Sequence, residues 1–305
     1  MPHCCAKMAY PDFSSVLFTR GGGCEELAGL LSDTAQRVSG DLAEFCVEQR
    51  ADLLITKRPP GGFGLVSVAI PVDFVPDQIG RVVAAVSGGP HSGLVARLAG
   101  VLSGRLGVPA AVASAFFSDE DKSEAEAAVD RFADHLTDAD RMIVAAEDPS
   151  GFVSQLPERS LVVMGEPGGS FLARIFFGAG ARLRAAVPAG AVVVRHAEAR
   201  VFHVMDEPVF VGPLHHAGDT LRLHHHPLMA VVENGMLVGM VRRNALEQAN
   251  SEAPVGELME SARYVSISDA AAEAIAVGES IRPGPIPVID QSGRLVGALH
   301  IPGLS

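Results

Sequence analysis

The feature that most constrains this chain is an internal repeat in its last third. A segment that ends at Met205 returns at Met259, 54 positions later, and a Leu-Val-Gly run that ends at Gly239 returns at Gly297, 58 positions later. In each copy two β-rich runs flank a turn of the hairpin type. The unequal offsets predict a shorter helix in the first copy. Neither copy can bury its apolar face alone, so residues 198–305 are predicted to form two packed α+β copies.

The middle of the chain, residues 79–197, alternates strand and helix patterns. Leucines spaced by four from Leu94 to Leu106 mark one face of a helix. Such alternation predicts an α/β fold with a parallel sheet and helices on its faces. The apolar runs that predict buried strands are 81–86, 108–117, 142–146, 161–164 and 191–194.

The first block, residues 1–78, has a β-α-β outline. Apolar runs at 15–19 and 51–56 predict two strands. The pattern between them predicts one long helix over 25–49. The passage from 51–56 into the Pro- and Gly-rich residues that follow is similar to the strand-to-loop passage near residue 165, so this block is interpreted as a possible shortened copy of the middle domain.

A glycine-rich loop follows the predicted strand at 161–164. Residues 165–170 read Gly-Glu-Pro-Gly-Gly-Ser, and a helix pattern follows Gly178. Glycines after a parallel strand let the backbone approach a ligand, and a helix start offers free N–H groups to a phosphate. Spacing alone leaves two interpretations open, a phosphate loop or a tight loop that needs positive φ angles.

Residues 79–197 as a whole resemble the universal stress protein family. Arg81 to Ser92 looks like its opening strand and loop, and Gly165-x-x-Gly168, nine residues and Gly178-Ala179 look like its ATP-binding motif. The resemblance implies a Rossmann-like, five-stranded parallel sheet, dimerisation through the last strand, and ATP or AMP at the glycine loop. The residues it assigns to nucleotide binding are Ser87, Gly88, Gly165, Gly168, Gly169, Ser170, Gly178 and Ala179.

Two of these positions depart from the family pattern. Ser87 stands where the family has an acidic residue that reaches the nucleotide, and Ala179 stands where it has Ser or Thr. The second departure removes a hydroxyl donor to phosphate.

The repeat in residues 198–305 is similar to a cystathionine-β-synthase (CBS) domain pair. Such pairs often hold adenosine compounds between the copies through a hydroxyl and a carboxylate. Those positions read Arg242 and Ala245 in the first copy and His300 and Gly303 in the second. Adenosine binding of the usual kind is therefore not expected, and Arg242 with Arg243 could meet a phosphate or form a solvated surface pair.

The composition of the chain limits the classes of partner it is expected to bind. The chain has 305 residues and a formal net charge of −12. That sign argues against a nucleic acid, whose phosphates need a Lys and Arg surplus, and against an anionic membrane surface. The start of the chain has no secretory pattern, and the four cysteines (Cys4, Cys5, Cys24 and Cys46) are expected to be reduced thiols. A cytoplasmic location is expected.

Six histidines crowd residues 203–226. Three or four converging ligands would be needed for a metal site, and successive side chains in a strand alternate faces, so 224–226 cannot converge in a regular strand. A polar, pH-responsive loop is the alternative. No metal site is predicted.

The sequence therefore predicts a regulatory protein and not an enzyme. An adenine nucleotide binds the middle domain, and the CBS-type pair senses a ligand or partner, with a homodimer expected. One alternative is an interaction protein whose nucleotide sites have decayed, and another is a slow ATP hydrolase. The absence of a basic residue in the glycine loop weighs against hydrolysis.

Overall fold

The computed structural model describes residues 13–61, 63–116, 118–146, 149–166, 189–279 and 284–300. The chain divides into two compact units, Met1–Ala197 and Glu198–Ser305. Among the described residues, no helix is long and apolar enough to cross a bilayer.

The first unit is built on one sheet. Its strands are β1 (Val16–Phe18), β2 (Gln36–Arg37), β3 (Leu53–Ile55), β4 (Ser67–Val72), β5 (Arg81–Ala85), β6 (Ala110–Phe116), β7 (Asp140–Ala145), β8 (Ser160–Gly165) and β9 (Ala191–Arg195). Its helices are α1 (Cys24–Leu31), α2 (Leu42–Glu48), α3 (Ser92–Leu106), α4 (Asp119–Ala133) and α5 (Pro149–Ser154), with a 3₁₀ turn at Pro76–Gln78.

The nine strands lie in the order β2-β1-β3-β4-β9-β8-β5-β6-β7. Neighbours are parallel except at one seam, where β4 and β9 run antiparallel with Ile70 opposite Val193. The sheet therefore consists of two parallel halves. In each half the chain starts in an inner strand, adds outward on one side, then crosses over and ends at the seam.

The α/β class predicted for the middle block is confirmed, but the sheet is larger and mixed. The predicted division at residue 78 falls between β4 and β5, which belong to the same sheet. Dimerisation through the last strand is contradicted, because β9 is already hydrogen-bonded to β8 and β4 within the chain.

Helices cover both faces of the second half-sheet. Val82 and Val83 are adjacent in β5 and point to opposite faces, yet both are fully buried. The leucine face predicted from 94 to 106 is confirmed, because Leu94, Leu98 and Leu102 of α3 are buried against β5 and β8. The near-continuous apolar strands are thus the expected pattern of a parallel sheet with two covered faces.

The single helix predicted over 25–49 is wrong. The chain instead forms α1, the edge strand β2 and α2. Gly40 has a φ of 103°, which is a left-handed conformation that favours glycine. Asp41 then caps α2, since its Oδ1 accepts hydrogen bonds from the backbone N–H groups of Ala43 and Glu44. The apolar periodicity of residues 25–49 had concealed the helix break at Gly40 and the cap at Asp41.

Strand β4 was not predicted, and it contains Pro71. Pro71 has no N–H to donate, yet the sheet loses no hydrogen bond. Ala69 and Pro71 face the same side of β4, where the carbonyl oxygen of Ala69 accepts from the N–H of Thr56, and β3 already ends at Ile55. Pro71 therefore faces that side beyond the end of its neighbour.

The second unit holds two three-stranded sheets, β10-β11-β12 and β13-β14-β15. The strands are β10 (Phe210–Val211), β11 (Leu228–Glu233), β12 (Met236–Arg242), β13 (Val265–Ser266), β14 (Ile286–Ile289) and β15 (Leu295–Leu299). The helices are α6 (Val201–Val204), α7 (Ala217–Leu223), α8 (Arg243–Gln248), α9 (Val255–Leu258) and α10 (Ala271–Glu279).

Both predicted hairpins are present. Asn234 and Gly235 have φ angles of 51° and 83°, as a two-residue hairpin turn requires. The corresponding helices are α7 with 7 residues and α10 with 9, so the shorter first copy is confirmed.

The copies exchange segments. The residues after α6 join the sheet of the second copy, and those after α9 join the sheet of the first. Asp206 and Ala298 exchange two backbone hydrogen bonds of 2.8 and 3.0 Å, and Glu260 and Met240 exchange two of 2.8 and 2.9 Å. Each copy is thus completed by the segment that precedes the other.

The repeated sequence signatures meet at this exchange. A Cβ atom added to Gly239 would lie 2.7 Å from the sulfur of Met259, and one added to Gly297 would lie 2.6 Å from the sulfur of Met205. Each glycine is therefore required by the methionine of the other copy.

Candidate functional site

The carboxyl ends of β5 and β8 meet at a topological switch point. From β5 the chain adds β6 and β7 on one side, then crosses to β8 and β9 on the other. The carboxyl edge at such a switch point is where open α/β sheets form a ligand-binding crevice. The loop after β8 lies outside the described residues from residue 167 onward.

The structure brings three of the predicted nucleotide residues to this edge. Ser87 and Gly88 follow β5, and Gly165 ends β8. The backbone N–H of Ser87 donates to Oγ of Ser92 at the start of α3, and Gly88 has a φ of 75°. The others, Gly168, Gly169, Ser170, Gly178 and Ala179, lie outside the described residues.

Gly165 is required by the close approach of His91. A Cβ atom at Gly165 would lie 2.7 Å from the Cβ atom of His91. This glycine therefore lets the loop before α3 lie directly against the end of β8. Its φ is not in the left-handed region, so the close approach explains it better than backbone conformation does.

An ion pair follows Gly165. Nε of Arg195, at the end of β9, donates to Oε2 of Glu166, and its second terminal nitrogen donates to Oε1 at 2.8 Å. Its remaining terminal nitrogen lies 3.4 Å from the carbonyl oxygen of Phe63. The two side chains are 28% and 29% exposed. This fork ties the end of β8 to the end of β9.

Two histidines complete the edge. The backbone N–H of His196 donates to Nδ1 of His91 at 3.1 Å, so neutral His91 carries its proton on Nε2. Oγ of Ser67, at the start of β4, accepts from the N–H of Ala197 at 3.2 Å. The crevice edge is thereby linked across the β4–β9 seam.

The local electrostatics follow from these contacts. The hydrogen bond from Arg195 holds the pKa of Glu166 below its usual range, and the same bond raises the pKa of Arg195. Burial lowers the pKa of His91, against the opposing effect of the Glu166 charge. The described part of the crevice thus presents a neutralised ion pair and a neutral imidazole.

Sequence reasoning missed His91, Glu166, Arg195 and His196. Each stands one to five residues beyond the end of a predicted strand, a position that marks the carboxyl edge of a parallel sheet. That positional signal could have found them. The pairing of Arg195 with Glu166 could not be predicted from the sequence, because it depends on β9 lying beside β8.

The second unit places the CBS-type positions differently from a nucleotide cleft. Nε of Arg242 donates to Glu260 at 2.9 Å, and that of Arg243 donates to Glu247 at 2.8 Å. Both arginines are therefore engaged with carboxylates. Ala245 lies in α8 and His300 is exposed after β15, while Gly303 lies outside the described residues.

The histidines of the second unit do not converge. His203 and His215 accept hydrogen bonds from nearby backbone N–H groups through Nδ1. His216 pairs through Nδ1 with the carbonyl oxygen of Glu252 at 2.8 Å. Within the described ranges, no group of three or more His, Cys, Asp or Glu side chains could hold a metal ion.

Solved structures of CBS domain pairs match about a third of this chain. The cytosolic domain of the Mg²⁺ channel MgtE in complex with ATP is 24% identical over 33% of this chain and 45% of its own, with a TM-score of 0.31. A CBS pair of a putative Mg²⁺ transporter from Shewanella oneidensis is 21% identical over 34% and 66%, with a TM-score of 0.31. CBSX2 in complex with AMP is 23% identical over 33% and 88%, with a TM-score of 0.29.

This chain covers less than half of the first two solved structures it matches. No family model and no curated protein matches it.

Proposed function

We propose that the first unit binds an adenine nucleotide, ATP or AMP, at the crevice between β5 and β8, and that the second unit is a regulatory pair of CBS type. The observation that carries the proposal is the switch point itself. Gly88 follows β5 and Gly165 ends β8, the two strands that flank it, and the glycine-rich loop predicted from the sequence continues from Gly165.

The crevice suits binding better than catalysis. Glu166 is held by Arg195, so its carboxylate does not stand free to orient an attacking water. Nδ1 of His91 already accepts a hydrogen bond from the N–H of His196. We therefore propose a binding site whose occupancy is read by the rest of the protein, without turnover of the nucleotide.

The alternative proposal is an interaction protein with decayed nucleotide sites. It is favoured by the arginines of the second unit, because Arg242 and Arg243 are each paired with a glutamate instead of facing an open cleft. Under this alternative both units serve as scaffolds, and no nucleotide changes their stability.

Thermal unfolding with and without ATP or AMP tests the proposal. A ligand present at about 100 times its dissociation constant should add about 2.7 kcal/mol to the free energy of unfolding, which raises the melting temperature by several degrees. Gly168→Asp, in the predicted loop, and Gly165→Ala, which sets a methyl group against His91, should both reduce that shift.

Gly104→Ala is the matched control, because a Cβ atom at Gly104 in α3 would meet no atom within 4 Å. It should leave the nucleotide shift unchanged. A shift that survives Gly168→Asp and Gly165→Ala would move the site away from the β5–β8 edge. No shift with either nucleotide would leave the interaction protein as the better proposal, and release of phosphate from ATP would support hydrolysis instead.

A further inference from the structure

The first half-sheet has a switch point of its own. From β1 the chain adds β2 on one side and then crosses to β3 on the other. The carboxyl ends of β1 and β3 therefore flank a second crevice edge, which is separate from the one between β5 and β8.

Three consecutive glycines line this edge. Gly21, Gly22 and Gly23 connect β1 to α1 with φ angles of 92°, 65° and 80°. The side chain of Lys57, from the loop after β3, lies across the middle one: a Cβ atom at Gly22 would be 1.7 Å from Cε and 2.4 Å from Nζ of Lys57. We call Gly21–Gly23 with Lys57 the glycine–lysine seat.

Hydrogen bonds fix the two loops of the seat to each other. The N–H of Thr19 donates to the carbonyl oxygen of Ile55 at 3.0 Å, and Oγ1 of Thr19 donates to Oγ1 of Thr56 at 3.0 Å. Thr56 is 3% exposed, and it also accepts from the N–H of Arg58. Lys57 is thus held over the glycines by its neighbours on both sides.

The charges at the seat have no carboxylate partner among the described residues. Arg20 precedes the glycines and Arg58 follows Lys57. In the part of the chain that the structure describes, none of these three cations has a carboxylate within ion-pair distance. Glu25 and Glu26 begin α1 but make no ion pair with them.

Acids outnumber Lys and Arg in this chain by 36 to 24. Several arginines of the first unit do pair with an acid among the described residues. The arginines of the first unit with such a partner are Arg81, Arg105, Arg141 and Arg195. A group of three unpaired cations beside a glycine loop therefore indicates an anionic ligand from outside the chain.

We propose that the glycine–lysine seat binds the phosphate group of a small anionic ligand. A lysine ammonium binds phosphate as a point charge, and glycines without side chains let the backbone N–H groups come close to the anion. In the described part of the second half-sheet, Arg195 at the corresponding edge is already neutralised by Glu166. The described cations of the seat have no such carboxylate.

Calorimetric titration of the full chain with inorganic phosphate, at low ionic strength, tests this proposal. Low salt is needed because screening weakens exposed charges. Wild-type protein should bind phosphate saturably. Lys57→Gln should weaken the affinity by roughly tenfold or more, because it removes a charge-assisted contact. Gly22→Ala should weaken it as well, since its methyl group displaces Lys57.

Lys122→Gln is the matched control, because Lys122 is an exposed lysine of α4 near Glu126. It should not change phosphate affinity, and Gly168→Asp should not either, which separates the seat from the nucleotide loop. Thermal unfolding without ligand checks that each variant is folded.

Three results would overturn the proposal: no saturable phosphate binding, equal affinity in Lys57→Gln and wild type, or an equal loss in Lys122→Gln. Loss in Gly168→Asp but not in Lys57→Gln would place phosphate at the nucleotide loop and equally overturn it.

Discussion

The two units are both built from paired halves, but only one pair is visible in the sequence. In the second unit each copy supplies a methionine that packs on a glycine of the other, so the contact depends on particular residues. In the first unit the halves meet through the backbone ladder of β4 and β9. A ladder accepts almost any apolar side chain. Contacts between specific side chains therefore leave a repeat that can be recognised in the sequence, whereas backbone hydrogen bonds between strands do not.

The largest expected effect concerns the seam of the first unit. Val193 is fully buried in β9 opposite Ile70, so Val193→Asp would bury an unpaired charge. We expect the free energy of unfolding to fall by roughly 4 kcal/mol or more, and both halves to unfold in a single transition. Denaturant unfolding measures it, with Val193→Ala as the milder control. Native hydrogen exchange that stays slow in β5 while β1 opens would break the comparison, because the halves would then be independent.

The next effect concerns the exchange in the second unit. Gly239→Val would drive a side chain into the sulfur of Met259, and Gly297→Val would do the same at Met205. Each should cost about 1–3 kcal/mol of unfolding free energy. Met259→Ala should restore part of the loss in Gly239→Val but none in Gly297→Val. Failure of that selective rescue would contradict the exchange.

The ion pair at the crevice should matter more than its counterpart in the second unit. Glu166→Gln should cost about 1 kcal/mol, discounted for its partial exposure. Because Arg195 lowers the pKa of Glu166 in the folded state, this stability is present above the ordinary glutamate pKa and is lost as the pH falls towards the lowered value. Denaturant unfolding at several acidic pH values should show a smaller decline in Glu166→Gln than in wild type. An unchanged decline would show that the pair is not formed.

His91 should add a second acid-sensitive contribution. Burial lowers its pKa in the folded state, so its stability is present above the ordinary histidine pKa and is lost as the pH falls through the window below it. Protonation would also remove the Nδ1 acceptor of the His196 N–H. His91→Gln should therefore flatten that part of the stability profile relative to wild type, and denaturant unfolding across that pH range measures it. An unchanged profile would contradict this contribution.

The smallest effect is expected at Glu260. The side chain of Arg242 is 39% exposed and that of Glu260 is 51% exposed, so solvent screens the ion pair. Glu260→Gln should change the unfolding free energy by less than about 1 kcal/mol. A loss as large as that of Glu166→Gln would remove the contrast drawn between the two ion pairs.

The strands of the middle block and both hairpins could be predicted from the sequence. Buried parallel strands are apolar throughout, and Asn234-Gly235 has the chemistry of a tight turn, so local residues carry those signals. The break between α1 and α2 was also local, at Gly40 and Asp41, but the apolar period dominated it. Local patterns therefore sufficed except where two of them conflicted.

The site was predictable only in part. Ser87, Gly88 and Gly165 could be placed at strand ends from local residues, and their role in nucleotide binding stays a prediction. Glu166 and Arg195 meet only because β8 and β9 are neighbours. Similarly, Lys57 reaches Gly22 only because β3 lies beside β1. Pairing between distant segments depends on sheet order, which a single sequence does not encode in any short window.

The seam also bears on how the nascent chain emerges from the ribosome. β4 is synthesised long before β9, so its outer edge has no partner until β5 to β8 have been made. An apolar strand with an open edge is a template for association with other chains. Pro71 does not interrupt that template, because its nitrogen faces the β3 side of β4. The growing polypeptide therefore carries an open apolar edge during the interval before β9 arrives.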